Sequence, residues 1–362
     1  MNDSYLTAGI RATPLLRLLT RNQISWTLKN TGRILFLLQS SCWSSLFSRI
    51  EQIRYRQALK NSPVPKDPIF IVGHWRTGST FLHQLMNRDP NLTTPTLYQV
   101  ALPDHFLTSY HFYKCIFAAF AGKSRPMDNV KIGIDEPQED EYAMYRLTTF
   151  SPLEKLVFPA DREYFLANTA FLPDNEKLQD WTSSLASFYR KILYATGKRI
   201  VSKNPFNSLR IPLLAELFPE ARFIHIVRHP YNVVPSTRHL WTVIQKQNIL
   251  NKNSYTPDAQ EISVILDNMM TTIQCDYKKL PGNQTAEIRY EDLDKDPKGI
   301  LSDLYAHFDL PFTTSFENSL DQFISQTSGF QKNTYSITED EKNVIKDIMF
   351  SHIERYQYLE NA

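Results

Sequence analysis

The stretch that begins at Ile69 shows two patterns of apolar residues, first a continuous run and then helical spacing. Ile69–Val72 is a run of four apolar residues, as expected for a strand that is buried on both faces. The chain breaks at Gly73, carries polar residues as far as Gly78, and from Ser79 onward shows apolar residues at helical spacing. We therefore predict a strand, a loop and a helix. Such a loop delivers backbone N–H groups to a helix N-terminus, where phosphate binds.

The same order of elements returns further along the chain. Two short apolar strands are predicted at Arg199–Ser202 and Phe223–Val227 with a leucine-rich helix between them, and a further strand at Ala286–Tyr290. Long helices with one apolar face are predicted at 177–196 and 261–280. Because strands and helices joined by short connections are typical of a parallel sheet covered by helices, the pattern predicts an α/β fold.

The remaining segments predict how this fold is extended. Residues 1–64 carry scattered apolar positions among many Arg and Ser residues, so we expect a helical extension packed on a main domain at 65–362. Residues 92–103 contain Pro95 and Pro103 and closely follow Pro90, so they are predicted to be extended or loop-like. The aromatic-rich segment 104–120 is predicted to be a core helix, or alternatively a wall of an apolar acceptor pocket or a mobile lid.

Composition limits the possible functions. The 362 residues are 42% hydrophobic and 22% charged, which is ordinary for a soluble globular protein. Forty basic and thirty-eight acidic residues leave a formal charge of +2, so nucleic acid is not an expected partner and any anion site must be local. Three widely spaced cysteines favour a reducing compartment, and the most apolar run, 34–47, is too short to span a membrane. We expect a cytoplasmic protein without a transmembrane segment.

Residues 73–80 nearly match the phosphate-binding loop of nucleoside triphosphatases, which reads Gly, four residues, Gly, Lys and then Ser or Thr. Both glycines and Thr80 fit this pattern. However, Ser79 stands in the lysine position, and the cation lies earlier, at Arg76. Without that lysine the β and γ phosphates of ATP lose their main side-chain partner. The loop suits a different anion, and the alternative is an ordinary turn between a strand and a helix.

Three segments in order resemble the sulfotransferases that use 3′-phosphoadenosine 5′-phosphosulfate (PAPS), in particular their carbohydrate, tyrosyl-protein and bacterial branch. They read IFIVGHWRTGSTFLHQLM, SKNPFNSLRIPLLAELFPEARFIHIVRHPYNVVPS and EIRYEDLDKDP, and the resemblance covers about residues 65–308. It implies a P-loop-like central parallel sheet flanked by helices, with extra helices at the N-terminus and on the acceptor side. It also implies transfer of a sulfuryl group from PAPS to a hydroxyl or amine, with no metal ion.

The resemblance also assigns the donor-binding residues. The loop around the 5′-phosphosulfate would consist of Arg76, Thr77, Gly78, Ser79 and Thr80. Arg228 and Ser236, separated by 236 − 228 = 8 positions, match the residues that bind the 3′-phosphate. Tyr290 matches the tyrosine beside the adenine. Lys332, in a late loop, is a looser match for a residue that closes over the 3′-phosphate, and a solvated surface lysine is the alternative.

For catalysis, Lys203 matches a family lysine close to the sulfuryl group, where it and Arg76 would neutralise charge on the leaving oxygen. The cytosolic enzymes have a histidine two positions after that lysine, but Pro205 stands there in this chain. The glycan and tyrosine branches use a glutamate as the base instead. In this chain, carboxylates are dense near the corresponding segment in the acidic cluster at 135–141, and from this cluster we choose Glu139 as the base.

The choice of base has rivals: Glu136, Asp140, Glu141 and His74. A helix opened by Pro137, with acids in its first turn, would explain the cluster structurally without any catalytic role.

Two other functions stay open at this point. One is a P-loop kinase, which would bind ATP with Mg²⁺ in preference to PAPS. The other is a non-catalytic nucleotide-binding or scaffolding protein, which would bind the product 3′-phosphoadenosine 5′-phosphate (PAP) without turnover. The acceptor itself is also open, and it could be a small molecule, a glycan or a lipid.

Overall fold

A parallel sheet is the centre of the fold. The computed structural model describes residues 6–118, 133–159, 175–252, 255–327 and 335–358. The sheet strands are β1 (Ile69–Val72), β2 (Leu92–Thr93), β3 (Arg199–Lys203), β4 (Arg222–Val227) and β5 (Thr285–Arg289). In the described part of the chain their order is β2-β3-β1-β4-β5, and every neighbouring pair is parallel. The loop that follows β1 therefore begins in the middle of the carboxyl edge of the sheet.

Helices make up most of the other described residues. The first are α1 (Ala12–Arg21), α2 (Leu28–Asn61), α3 (Ser79–Met86), α4 (Leu97–Ala101), α5 (Phe106–Ala118), α6 (Glu141–Thr148), α7 (Glu154–Val157) and α8 (Asn175–Thr196). The later ones are α9 (Ile211–Leu217), α10 (Pro230–Asn248), α11 (Ala259–Tyr277), α12 (Tyr290–Lys295), α13 (Pro297–His307), α14 (Thr314–Thr327) and α15 (Glu339–Arg355). Short 3₁₀ segments lie at Pro205–Leu209 and Gly282–Gln284.

The chain divides into two compact units. One, which we call the helical unit, contains Met1–Pro65, Thr94–Lys198 and Trp241–Tyr255. The other, the sheet unit, contains Lys66–Thr93, Arg199–Leu240 and Thr256–Ala362, and it includes all strands of the sheet. The sequence-based division into 1–64 and 65–362 stays a prediction.

Both faces of β1 are covered within the sheet unit, as its unbroken apolar run predicted. Ile69 and Ile71 belong to a buried cluster with residues of α3, α13 and α14. Phe70 packs against the rings of Phe223 and Phe218, with centroid distances of 5.4 and 5.9 Å. Because successive strand residues point to opposite faces, this alternation places helices on both sides of β1. The predicted α/β fold with a parallel sheet flanked by helices is confirmed.

Some local predictions were wrong for identifiable reasons. Residues 92–103 are not simply a loop, because Thr96 caps α4: the Gln99 N–H donates to the Thr96 hydroxyl oxygen and the Thr96 N–H to the Gln99 side chain. Pro137 does not open a helix, since it forms a bridge with Thr96 and α6 begins at Glu141. Tyr290 is the first residue of α12 and not the end of β5.

The prediction about membrane spanning can be compared with the helices directly. Among the described residues, no helix combines the length and apolar character needed to cross a bilayer.

Candidate active site

The loop from Gly73 to Gly78 joins β1 to α3 and has an unusual backbone. The φ angles are 134° at Gly73, 68° at Arg76 and 92° at Gly78. A positive φ is costly for a residue that carries a Cβ, so the conformation of Arg76 costs about 1–3 kcal/mol. Strain of this kind concentrates in loops that bind ligands, and the loop ends at the N-terminus of α3, where backbone N–H groups are available to an anion.

Gly73 is required because β4 lies very close to it. A Cβ at this position would lie 2.6 Å from the carbonyl oxygen of Ile226. The buried Ser208 also holds Gly73, since its Oγ accepts from the Gly73 N–H at 2.8 Å and donates to the Gly73 carbonyl at 3.1 Å. The sequence did not reveal Ser208 as a support for this loop. No local spacing marks a serine whose partner is 135 positions away.

Gly78 lies directly against an aromatic ring. A Cβ on Gly78 would lie 2.0 Å from Cδ2 of Tyr290, which leaves room for a glycine alone. The guanidinium carbon of Arg228 lies 4.4 Å from the centroid of the same ring, in the range of a cation–π contact. Tyr290 therefore contacts both the loop after β1 and the residue that follows β4.

Two arginines and a serine meet at this edge of the sheet. The Nε of Arg76 donates to Oγ of Ser236 at 2.7 Å, and Nη1 of Arg228 donates to the carbonyl oxygen of Arg76 at 3.2 Å. Ser236 lies on α10 and is buried. Two arginines at one edge concentrate positive charge there, and a guanidinium can form two hydrogen bonds to one phosphate. The cluster therefore has the charge and the donors to bind a phosphate.

Lys203 is the last residue of β3 and lies beside β1, in register with Ile71. Its side chain is buried. Burial lowers the pKa of His83 to about 3, and the positive charge of Lys203 adds to this effect. His83 is therefore neutral at physiological pH, and Nε2 lies 3.3 Å from the carbonyl of Val201, to which it donates. Lys203 thus adds a further cation to the carboxyl edge of the sheet.

His74, a rival for the base, is fully buried in the loop after β1. Its Nδ1 lies 2.9 Å from the carbonyl oxygen of Trp75, so the ring carries a proton on Nδ1 and donates it to that oxygen. Burial lowers the pKa of His74 to about 4, an effect that the hydrogen bond to Trp75 only partly opposes. The Thr77 hydroxyl donates to the His74 carbonyl at 2.8 Å and closes this turn of the loop.

The acidic cluster lies in the helical unit, and its members differ in burial. Asp140 is 1% exposed and accepts a hydrogen bond of 2.5 Å from the Tyr189 hydroxyl. Glu141 is fully buried and accepts one of 2.5 Å from Ser151. Glu136 and Glu139 are half-buried. Two of the candidate bases therefore tie α6 to neighbouring elements.

The sheet unit thus brings together most of the predicted site. Its carboxyl edge carries Arg76, Thr77, Gly78, Ser79, Thr80, Lys203, Arg228, Ser236 and Tyr290. Glu139 belongs to the helical unit, and Lys332 lies outside the described residues. Over the described ranges no group of three or more His, Cys, Asp or Glu side chains could hold a metal ion.

The comparisons with known proteins agree with this geometry. The family model for the Sulfotransferase family matches residues 68–314. The chain is also 31% identical over 363 residues to the omega-hydroxy-beta-dihydromenaquinone-9 sulfotransferase Stf3 of Mycobacterium bovis, a match that covers 98% of this chain and 91% of that protein. The chain therefore belongs to the PAPS-dependent sulfotransferase family, and the sequence-based prediction of a sulfotransferase enzyme is confirmed.

Two solved structures show the same fold. The sulfotransferase STF9 from Mycobacterium avium is similar with a TM-score of 0.68 at 17% identity, covering 91% of this chain and 86% of that chain. The sulfotransferase STF1 from Mycobacterium tuberculosis is similar with a TM-score of 0.62 at 18% identity, covering 94% and 91%.

The contact of Gly78 with Tyr290 predicts a large effect of one added methyl group. Gly78→Ala introduces a Cβ that collides with the ring and also disfavours the positive φ, so we expect the free energy of unfolding in urea to fall by about 2–4 kcal/mol. Gly197→Ala is the matched control, because φ is +66° there and a Cβ would meet nothing within 4 Å. Equal losses in the two variants would show that Tyr290 does not press on the loop.

The buried state of His74 predicts a dependence of stability on pH. Its folded pKa is about 4 and its ordinary value is 6.5, so its contribution to stability is present above pH 6.5 and is lost as the pH falls towards 4. The slope is about 1.4 kcal/mol per pH unit in this window. His74→Gln should therefore flatten the fall in unfolding free energy between pH 6.5 and 4.5, measured by urea unfolding. The same change at the exposed His307 serves as control, and parallel curves for wild type and His74→Gln would contradict the prediction.

Proposed function

We propose that the carboxyl edge of the sheet unit binds PAPS through the residues assigned from the sequence. The observation that supports this most strongly is the hydrogen-bonded cluster of Arg76, Ser236 and Arg228. Arg228 and Ser236 would hold the 3′-phosphate, since a guanidinium and a hydroxyl together satisfy a dianion. The loop from Arg76 to Thr80 would surround the 5′-phosphosulfate, and Tyr290 would lie beside the adenine. Lys332 would close over the 3′-phosphate.

PAPS supplies the sulfuryl group that is transferred. The acceptor oxygen or nitrogen would form the new bond to sulfur while the bond from sulfur to the 5′-phosphate oxygen breaks in line. Lys203 and Arg76 would stabilise the negative charge that develops on that departing oxygen. Both are cationic side chains at the carboxyl edge of the sheet, on the neighbouring β3 and on the loop after β1. The proposal needs no metal ion.

We propose Glu139 as the base that removes the acceptor proton. Asp140 and Glu141 are buried and accept hydrogen bonds from Tyr189 and Ser151, which suits a structural function in holding α6. His74 donates its Nδ1 proton to a backbone carbonyl and has a lowered pKa, so it is a weak base. Glu139 is half-buried, which leaves part of the side chain accessible. Glu136 is its nearest equivalent in the cluster.

We propose that the acceptor is an apolar alcohol of the lipid type. The relative Stf3, with 31% identity across nearly the whole chain, has ω-hydroxy-β-dihydromenaquinone-9 as the acceptor in its name. In the helical unit of this chain, α5 carries Phe106, Tyr110, Phe112 and Tyr113, which supplies the aromatic surface that apolar ligands contact. Radiolabelled sulfate transfer from PAPS to hydroxylated isoprenoid quinones, compared with sugars and short alcohols, tests this choice of acceptor.

The donor assignment predicts which nucleotides bind. PAP should raise the melting temperature, because it binds the folded state alone, and ATP with Mg²⁺ should do little. Arg228→Ala should weaken PAP binding by about 10–150-fold, the equivalent of losing a charged hydrogen bond, and should weaken binding of adenosine 5′-phosphosulfate far less. Isothermal titration calorimetry measures both affinities. Arg222→Ala, at the amino end of the same strand, is the control, and an equal loss for both ligands in Arg228→Ala would refute the assignment.

The proposed division of catalytic functions predicts different responses to the acceptor. Lys203→Ala should lower turnover by about 10²–10³-fold with little change in PAP affinity, because it stabilises charge that develops in the transition state. Glu139→Gln should lower turnover by about 10²–10⁴-fold, and less for acceptors of lower pKa, which need less help in losing a proton. Steady-state rates on one acceptor series separate the two effects. Glu136→Gln is the matched control, and near-normal turnover of Glu139→Gln would exclude that residue as the base.

A further inference from the structure

The long helix α2 buries mostly polar residues and exposes several large apolar side chains. Of its buried residues only Ile34 and Leu37 are apolar, and the others are Asn30, Arg33, Ser41, Ser44, Ser48 and Glu51. Its exposed residues include large apolar side chains, which we call the α2 apolar face: Leu35, Phe36, Trp43, Leu46, Ile50 and Ile53. Their exposed fractions run from 40% at Ile50 to 83% at Ile53. A surface helix ordinarily buries its apolar stripe and exposes its polar one.

Polar contacts within the helical unit hold α2 in this orientation. The Arg33 guanidinium donates to the carbonyls of Ile249 and Gln247 at 3.1 and 2.7 Å, and the Asn30 amide donates to the carbonyl of Ser25 at 2.9 Å. These contacts are near the start of the helix. Rotating α2 to bury its apolar face would break these hydrogen bonds, at a cost of about 1–3 kcal/mol for each buried group left unsatisfied, and this opposes the rotation.

In the second half of the helix, Glu51 also holds α2 in this orientation. It forms a buried ion pair with Lys191, and its other oxygen accepts from the Thr108 N–H at 2.9 Å. The partner cation is itself almost fully buried. Breaking a buried pair by exposing one partner is strongly destabilising. The outward position of the α2 apolar face is therefore fixed along the length of the helix.

The apolar surface continues onto α5 in the same unit. Phe112 is 54% exposed, and its ring centroid lies 6.5 Å from that of Trp43 and 5.5 Å from that of Phe47. Along α2, Leu35 to Ile53 extend over about 27 Å at 1.5 Å per residue. An apolar surface of this length with exposed aromatic rings, interrupted at Gln39, is unusual for a soluble monomer and marks a binding surface.

The charged residues of the segment that contains α2 are almost all basic, although Arg33 is buried and Arg11 and Arg21 form ion pairs with Asp104 and Glu154. Residues 6–65 contain nine Lys or Arg and one acidic residue, Glu51, so the excess is 9 − 1 = 8 positive charges. Glu51 is buried, so no acidic side chain is exposed in this range. Arg49 and Arg56 lie on one side of the α2 apolar face and Arg54 on the other, at 3.6 residues per turn. All three are exposed.

We propose that the α2 apolar face docks the enzyme on the surface of a bilayer that contains anionic lipids. A helix that lies in a membrane interface has aromatic and aliphatic residues on one face and Lys or Arg along its edges, as here. Exposed tryptophan is typical of the headgroup region, and Trp43 and Trp26 are 47% and 71% exposed. Because α2 carries six basic residues, which are costly inside a bilayer, it is suited to lie on the bilayer surface and not to span it.

A second copy of the chain would fit this surface less well. Two α2 helices packed face to face would bring Arg49, Arg54 and Arg56 of each copy against the basic edge of the other, with no exposed acid in 6–65 to compensate. Like charges at an interface oppose association. Anionic headgroups would neutralise the same residues.

The test is sedimentation of the full-length protein with lipid vesicles, in the absence of donor and acceptor. We expect binding to phosphatidylcholine vesicles that contain phosphatidylglycerol, and about fivefold weaker binding for each neutralised basic residue, or about 10²-fold for the triple variant Arg49→Gln/Arg54→Gln/Arg56→Gln. Binding should also weaken as salt rises. Because no catalysis is measured, failure here leaves the proposed donor and acceptor untouched.

A second variant tests the apolar contribution. Trp43→Ser/Leu46→Ser/Ile50→Ser should weaken vesicle binding by about 10²-fold or more, because three large apolar side chains would no longer move from water into the bilayer on binding. Phe350→Ser is the matched control, because Phe350 on α15 is 48% exposed, close to the 47% of Trp43, and lies outside α2. The urea unfolding curves of both variants should match wild type, because they change exposed side chains.

Tryptophan fluorescence gives an independent readout. Trp75, Trp181 and Trp241 are buried at 8%, 1% and 3% exposure, so a change in emission on vesicle addition reports on Trp26 and Trp43. We expect a blue shift and quenching by brominated lipids, both abolished in Trp26→Phe/Trp43→Phe. Absence of binding to anionic vesicles would overturn the proposal. So would sedimentation equilibrium showing a dimer that the Trp43→Ser/Leu46→Ser/Ile50→Ser variant dissociates, since a second copy would then cover the face.

Discussion

The contact of the Tyr290 ring with the backbone of Gly78 is the constraint on which the proposed donor site depends. Because no Cβ fits between them, the loop after β1 and the start of α12 have a fixed separation. Arg228 lies over the same ring and donates to the loop at the Arg76 carbonyl, so the ends of β1, β4 and β5 are joined through one aromatic side chain. Since these strands are neighbours in the parallel sheet, their carboxyl ends already lie along one edge. That edge, at the centre of the sheet, is where α/β proteins bind ligands.

The electrostatics of this edge follow from the same arrangement. Arg76 and Arg228 are held close together by hydrogen bonds to neutral groups, the hydroxyl of Ser236 and a backbone carbonyl. Both cations would attract an anion with several acceptor oxygens. The overall formal charge of +2 gives no sign of this concentration of positive charge. An anion site of this kind needs only a few cations that the fold brings to one edge of the sheet. It does not require a high net positive charge of the whole protein.

In the helical unit, too, the local charge differs from the small net charge of the whole chain, and the burial pattern of α2 differs from that of an ordinary surface helix. The first 65 residues of this unit are strongly basic, and α2 buries mostly polar and ionic groups while several of its large apolar side chains are exposed. Buried polar groups such as Glu51 and Lys191 are stable because they pair with each other. The proposed lipid alcohol would dissolve in membranes, and the proposed docking of α2 on the bilayer surface would bring the enzyme to it. The donor, by contrast, is a charged nucleotide that arrives from water.

The sequence by itself determined β1, β3, β4 and β5 and the loop after Val72, because a buried strand and a glycine turn produce a recognisable pattern over a few adjacent positions. Tertiary structure decided which face of α2 is buried, since helical periodicity shows what shares a face but not which side it packs on. The deciding pair, Glu51 and Lys191, is separated by 191 − 51 = 140 positions. The same holds for Ser208 beside Gly73 and for the burial of Asp140 under Tyr189. Such partners are chosen by the folded chain, and no local pattern in the sequence records them.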